Sequence, residues 1–160
     1  MLRSLVIASL ALTAAACASA PEPAAPAETV TPLTYEEFRP LLQAAHFNHK
    51  PEVKADAALT ELAARSDITP SQKAEALYRR GSLRGIFIGD WPMAYPQCAM
   101  GDYLEALKLG PTESVKAQIM KDMQYQVSRR IYFNQAPFLG VPAECAAHLP
   151  EAQALVDAQL

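Results

Sequence analysis

Two segments of the chain carry a threonine followed three residues later by a glutamate or glutamine: Thr34 with Glu37, and Thr69 with Gln72 behind Pro70. In such a pair the hydroxyl accepts from the N–H three residues on, while the longer side chain reaches back to the threonine N–H. Two of the donors that an α-helix leaves open at its start are thereby closed. A chain punctuated in this way is committed to helices, and its apolar spacing agrees. Tyr35, Phe38, Leu42 and Ala45 recur at three and four residues and predict a first helix to about His46. Pro51 suits the first position of a second, to about Arg65, with Ala55, Ala58, Leu59 and Leu62 on one face. A third opens at Thr69 and Pro70 and runs through about Ile88, and a fourth covers roughly Gln97 to Leu109 before the stop at Gly110-Pro111. The fifth spans about Thr112 to Phe133. Its stripe of Val115, Ile119, Met123, Val127 and Ile131, spaced by four, drifts slowly around the helix and suits contact with more than one neighbour. The tail predicts two short helices, around Ala143 to His148 and Glu151 to Gln159. Nothing alternates as a strand does, so the expected class is all-α: antiparallel helical hairpins, about five main helices and short C-terminal ones.

The 160 residues are 51% hydrophobic and 19% charged, which is the balance of a folded domain. With the first 33 residues set aside, the remaining 34–160 suit one core. Net charge is −3 without a long run of one sign, leaving no electrostatic footprint for nucleic acid. Residues 1–16 have the layout of an export signal: Arg3, an apolar run from Leu5 to Leu12, then Ala14, Ala15 and Ala16 ahead of Cys17. The uncharged stretch from Ser4 to Pro21 is short for a membrane span, and its second half of small residues gains little from lipid. The three alanines satisfy the pattern of an ordinary signal peptidase site. "TAAAC" also resembles the lipobox of bacterial lipoproteins, with Ala14 where leucine is usual. That resemblance implies a diacylglyceryl thioether and an acylated N-terminus at Cys17, and Ala18 after it implies the outer membrane of a Gram-negative envelope. Several acyl chains anchor stably where one is marginal. Residues 17–33, with Pro21, Pro23, Pro26 and Pro32 among alanines, form an extended tether.

The segments "AEALYRRGSLRGIFIGDW" and "AMGDYLEALKLGP" together resemble a tetratricopeptide repeat. In that family a first helix carries a tyrosine and a glycine, a Gly-Asp-aromatic turn follows, and a second helix has Ala, Tyr, Ala and a closing Pro. The matching residues are Tyr78, Gly81, Gly89, Asp90, Trp91, Ala99, Tyr103, Ala106 and Pro111. Small residues let the helices approach and aromatics fill the gap. "DAALTELAARSDITP" is similar to the second helix of a preceding repeat, and residues 112–133 to a following first helix. The spacing from Gly81 to Gly89 is longer than usual, as is the segment from turn to proline. A right-handed array and a compact repeat-derived bundle both fit, and an unrelated bundle is the alternative. The resemblance implies partner binding on the surface made by the first helices. On the third helix of this chain that surface is outlined by Glu75, Tyr78, Arg79 and Ser82.

With Cys17 assigned to lipid, Cys98 and Cys145 remain, and an oxidising compartment favours their pairing over two buried thiols. The bridge would fasten the tail back across the repeat through the insertion that Pro92 and Pro96 stiffen. No catalytic set emerges. His46 and His49 are three apart but lack a third ligand, and a histidine in a last turn meets the helix dipole. Glu36 and Glu37 are the acidic residues expected in a first turn. Ser82 has no G-x-S-x-G around it. Gly81, Gly85 and Gly89 suit close packing of helices rather than phosphate binding. Arg79, Arg80 and Arg84, like Arg129 and Arg130, are most simply solvated. No metal or cofactor is expected. The favoured function is an envelope-anchored module that docks a partner protein. The alternative is an enzyme or small-ligand binder with a pocket near Trp91, Tyr95 and His148. An open face with Tyr78 exposed favours the first, and a deep pocket with convergent polar groups favours the second.

Overall fold

The computed structural model describes residues 30–46, 51–85, 96–133, 145 and 148–158. Within them the chain is all-helical, with no strand: α1 (Tyr35–Ala45), α2 (Glu52–Ala64), α3 (Pro70–Gly85), α4 (Pro96–Lys108), α5 (Glu113–Phe133) and α6 (His148–Asp157). Cys17 and the signal segment, His49, and the turn and insertion with Gly89, Asp90, Trp91 and Tyr95 lie outside the described residues.

Both capping boxes form. The Glu37 N–H donates to the Thr34 hydroxyl at 3.3 Å and the Thr34 N–H to the Glu37 carboxylate at 2.8 Å. At α3 the Gln72 backbone N–H donates to the Thr69 hydroxyl at 3.2 Å and the Thr69 N–H to the Gln72 side-chain oxygen Oε1 at 2.8 Å. Gln72 does more than cap, because its amide also donates to the Leu33 carbonyl at 2.9 Å, and the Leu33 N–H reaches the Asp67 carbonyl at 2.7 Å. The approach to α1 is thus tied to the α2–α3 turn. Two expected boundaries move. Pro51 stands outside α2 as its N-cap, extended at φ −57° and ψ 143°, with Glu52 the first helical residue. In the tail, His148 begins α6 rather than ending a preceding helix, and Pro150 falls in its first turn, where an N–H would have no helical partner anyway.

The main interfaces join each helix to the next one or two in chain order. α1 meets α2 and α3, α2 meets α3, α3 meets α4 and α5, and α4 and α5 meet each other and α6. Small residues set the closest approach. A Cβ added to Gly81 would stand 2.6 Å from the ring of Tyr103, which is 1% exposed, so that ring lies directly on the α3 backbone. Ala99 and Ala106 are fully buried on the same helix as Tyr103. From the α5 stripe, Ile119, Met123 and Val127 are buried and Val115 packs at the edge. Gly110 ends α4 at φ +69°, a left-handed conformation glycine adopts without steric cost.

Two arginines of α3 are far from solvated. Arg80 and Arg84, one helical turn apart, converge on Asp102 of α4, whose residue is 3% exposed. Arg80 Nη2 lies 2.6 Å from its carboxylate and Arg84 Nη1 3.2 Å. Arg84 Nε also reaches Asp56 of α2 at 2.7 Å, and Arg80 Nη1 donates to Thr60 at 2.9 Å. A spacing of four turns both side chains toward the seam where α2 and α4 flank α3. Charges at this depth persist only when paired. Removing one partner from such a network costs about 3–5 kcal/mol.

Cys98, in the first turn of α4, is bridged to Cys145, with a sequence separation of 47. α6 follows directly. At 10 residues it is too short to stand alone, and its buried apolar contribution is mainly Ala152 and Val156. The bridge therefore adds a covalent tie to the packing of α6 on α4 and α5. Replacing both cysteines by alanine is expected to lower stability to urea by about 4 kcal/mol, the chain-entropy value for a loop of this length. A loss below about 1 kcal/mol would show that α6 docks without its staple.

Candidate functional site

The side of α3 turned away from Arg80 and Arg84 carries Glu75, Tyr78, Arg79 and Ser82. Glu75 is not the open position expected from the sequence. It is 8% exposed because α1 crosses it, and the Tyr35 hydroxyl donates to its carboxylate oxygens at 3.2 and 3.4 Å. Tyr78 is half-buried, its ring 6.1 Å from that of Tyr103 at an interplanar angle of 32°. Asp122 of α5 lies close enough to the phenols of Tyr78 and Tyr103 to act on both electrostatically. The Arg79 guanidinium sits over the Tyr78 ring, 5.8 Å from its centroid, and Ser82 is half-buried one turn further on. A face runs from α1 across α3 to α5, crossed at its α1 end by the Tyr35–Glu75 hydrogen bond. Tyr35 at 54% exposure opens one end, and Tyr125 at 58% lies one turn beyond Asp122 at the other.

The electrostatics of this face keep its phenols protonated. Burial, then the charge of Asp122, pushes the Tyr78 phenol up, and the same causes push Tyr103 far higher. The Tyr35 phenol rises through burial and Glu75, with Arg39 and Arg79 opposing. Protonated phenols are hydrogen-bond donors, neither bases nor nucleophiles. Asp122 is itself raised by burial, against the pull of the two phenols and Lys121.

A second feature is a cleft of about 330 Å³ where α3, α4 and α6 meet, lined by Arg84, Asp102, Glu105, Lys108, His148, Glu151 and the Cys98–Cys145 bridge. The sequence placed His148 at a pocket and the structure brings it to this one, while Trp91 and Tyr95 are outside the described residues. Its charged groups are paired, Arg84 with Asp102 and Lys108 with Glu151 at 3.4 Å within the cleft, and Glu105 with Lys73 outside it at 3.8 Å. The His148 ring packs on Gly101, where an added Cβ would stand 2.8 Å from it. These groups do not converge on one point. A shallower groove between α1 and α2 is walled mainly by Leu41, Ala44, Ala45, Ala58 and Leu62.

Of the remaining candidates, the Glu37 carboxyl is held low by its hydrogen bonds from Thr34 and serves the cap. The backbone N–H of His46 closes α1 by donating to the Leu42 carbonyl at 3.0 Å. No three His, Cys, Asp or Glu side chains are grouped for a metal ion among the described residues. The Tyr35–Glu75 bond and the role of Asp122 escaped the sequence reading, since each joins residues on different helices. The signal available for Asp102 was a charged residue inside the otherwise uncharged run "AMGDYL".

Asp122→Asn tests the environment of the face. A carboxyl raised in the folded state costs stability when ionised and is relieved as pH falls from neutral toward the ordinary aspartate value near ~3.9. Urea unfolding should therefore move the stability difference between variant and parent in the parent's favour on acidification. A shift in the opposite direction would mean that hydrogen bonding outweighs burial at Asp122.

Compared with protein families, with curated proteins and with solved structures, the chain matches none of them.

Proposed function

We propose that this chain is an envelope-anchored interaction module, held to a membrane by lipid on Cys17 and a proline-rich tether, whose helical domain docks a partner protein on the face of α1, α3 and α5. The observation that carries the reading is the two-sidedness of α3. Its inner side spends Arg80 and Arg84 on packing, while its outer side presents a half-buried aromatic and a guanidinium that join no ion pair among the described residues. The stepped packing of successive helices supports a repeat-derived array, the kind of architecture whose extended faces bind peptides. The Cys98–Cys145 bridge supports export, since disulfides persist in oxidising compartments. No described helix is long and apolar enough to cross a membrane.

The cleft beside His148 favours a second reading, a small-ligand binder, because its volume falls near the low end of ligand pockets. The mutual pairing of its charged groups weighs against it. A photo-reactive residue at Ser82, compared in intact cells with one at exposed Lys54 on α2, tests the docking face. The expected result is a discrete adduct with one envelope protein from Ser82 only. Identical adducts from both positions, or none from Ser82, would contradict the reading.

A further inference from the structure

Both cysteines of the Cys98–Cys145 bridge are shielded from solvent, Cys98 at 2% exposure and Cys145 at 4%. Part of the shield is α6. Its first residue, His148, follows Cys145 by three positions, and the His148 ring rests on Gly101, three positions after Cys98 on α4. The start of α6 therefore lies beside the bridge. Further along, Ala152 and Val156 are buried in the core where α6 meets α4 and α5. The cleft next to His148 touches both cysteines, yet together they offer almost no surface to it. Thiol–disulfide exchange requires a third sulfur to approach one of the bridged pair in line with the S–S bond, so its rate depends on access as well as on thiolate chemistry.

We propose that α6 gates the chemistry of this bridge: exchange at Cys98–Cys145 takes place only in a form where α6 has lifted from α4 while the other helices stay folded. Such a local opening is less costly than unfolding the whole chain. With a small dithiol as reductant, one of its thiolates attacks a bridge sulfur, the S–S bond breaks, and the other cysteine leaves as a thiolate. The second thiol of the reductant then closes on the mixed disulfide. The reductant ends as its cyclic disulfide, and Cys98 and Cys145, having taken up two electrons between them, end as thiols after protonation. Formation of the bridge by an oxidised dithiol runs through the same steps in reverse and meets the same barrier. The disulfide is therefore made before α6 docks.

The test is the rate at which dithiothreitol reduces the bridge in the full chain, read by alkylation of the released thiols and mass spectrometry. Reduction in buffer should be at least about 100-fold slower than in concentrated urea. Val156→Ala, which trims the packing of α6, and His148→Ala, which removes the ring over Gly101, should each speed reduction in buffer by about 10-fold. Thr34→Ala, which removes the cap of α1 far from the bridge, should leave the rate within about 2-fold of the parent. If Val156→Ala does not fold, as judged by circular dichroism, His148→Ala carries the comparison. Reduction as fast in buffer as in urea, or a folded α6 variant that reduces no faster than the parent, overturns the gate. Acceleration by Thr34→Ala equal to that by the α6 variants also overturns it, because the bridge would then open only when the whole chain unfolds.

Discussion

The Asp102 carboxylate, buried between Arg80 and Arg84, fixes the rotation of α3 about its own axis. Once those two arginines point to the seam with α2 and α4, residues roughly a third to a half of a turn away face away from that seam. Tyr103, the next residue after Asp102, reinforces the same register by resting on Gly81. α5 packs against both of these helices, with Asp122 near the Tyr103 ring. One buried charge and one buried ring thus set the positions of four helices, and the outer face with Tyr78 and Arg79 is a geometric consequence.

This arrangement explains why polar groups are so deeply placed in a small domain. Replacing the Asp102 network with apolar side chains could match its stability, but apolar contacts would define the rotation of α3 less sharply. The C-terminal end is held differently. There α6 packs on α4 and α5, and the Cys98–Cys145 bridge and the contact of His148 with Gly101 add to that packing.

Much of the helical order was legible because helix ends and apolar spacing are local. The Thr34 and Thr69 boxes, the Pro70 start, the Gly110 stop and the α5 stripe depend on residues within a few positions of each other. The pairing of Cys98 with Cys145 followed from cysteine arithmetic, and the close approach at Gly81 from residue size. What could not be read is nonlocal. Glu75 lies on the outer side of α3 by its spacing, yet α1 crosses over it, and only the packing of two hairpins reveals that. Arg79, Arg80 and Arg84 look alike in sequence. Their separation into one uncommitted and two buried cations appears only when α2 and α4 are placed beside α3.

The division of labour among these arginines can be measured directly by urea unfolding of Arg79→Gln, Arg80→Gln and Arg84→Gln in the otherwise intact chain. Arg80→Gln and Arg84→Gln should each lose about 3 kcal/mol, the cost of leaving a buried carboxylate short of its partner. Arg79→Gln should lose no more than about 1 kcal/mol, the size of its cation–π contact with Tyr78. A loss at Arg79 equal to that at Arg80 would contradict the account, because the outer side of α3 would then belong to the core.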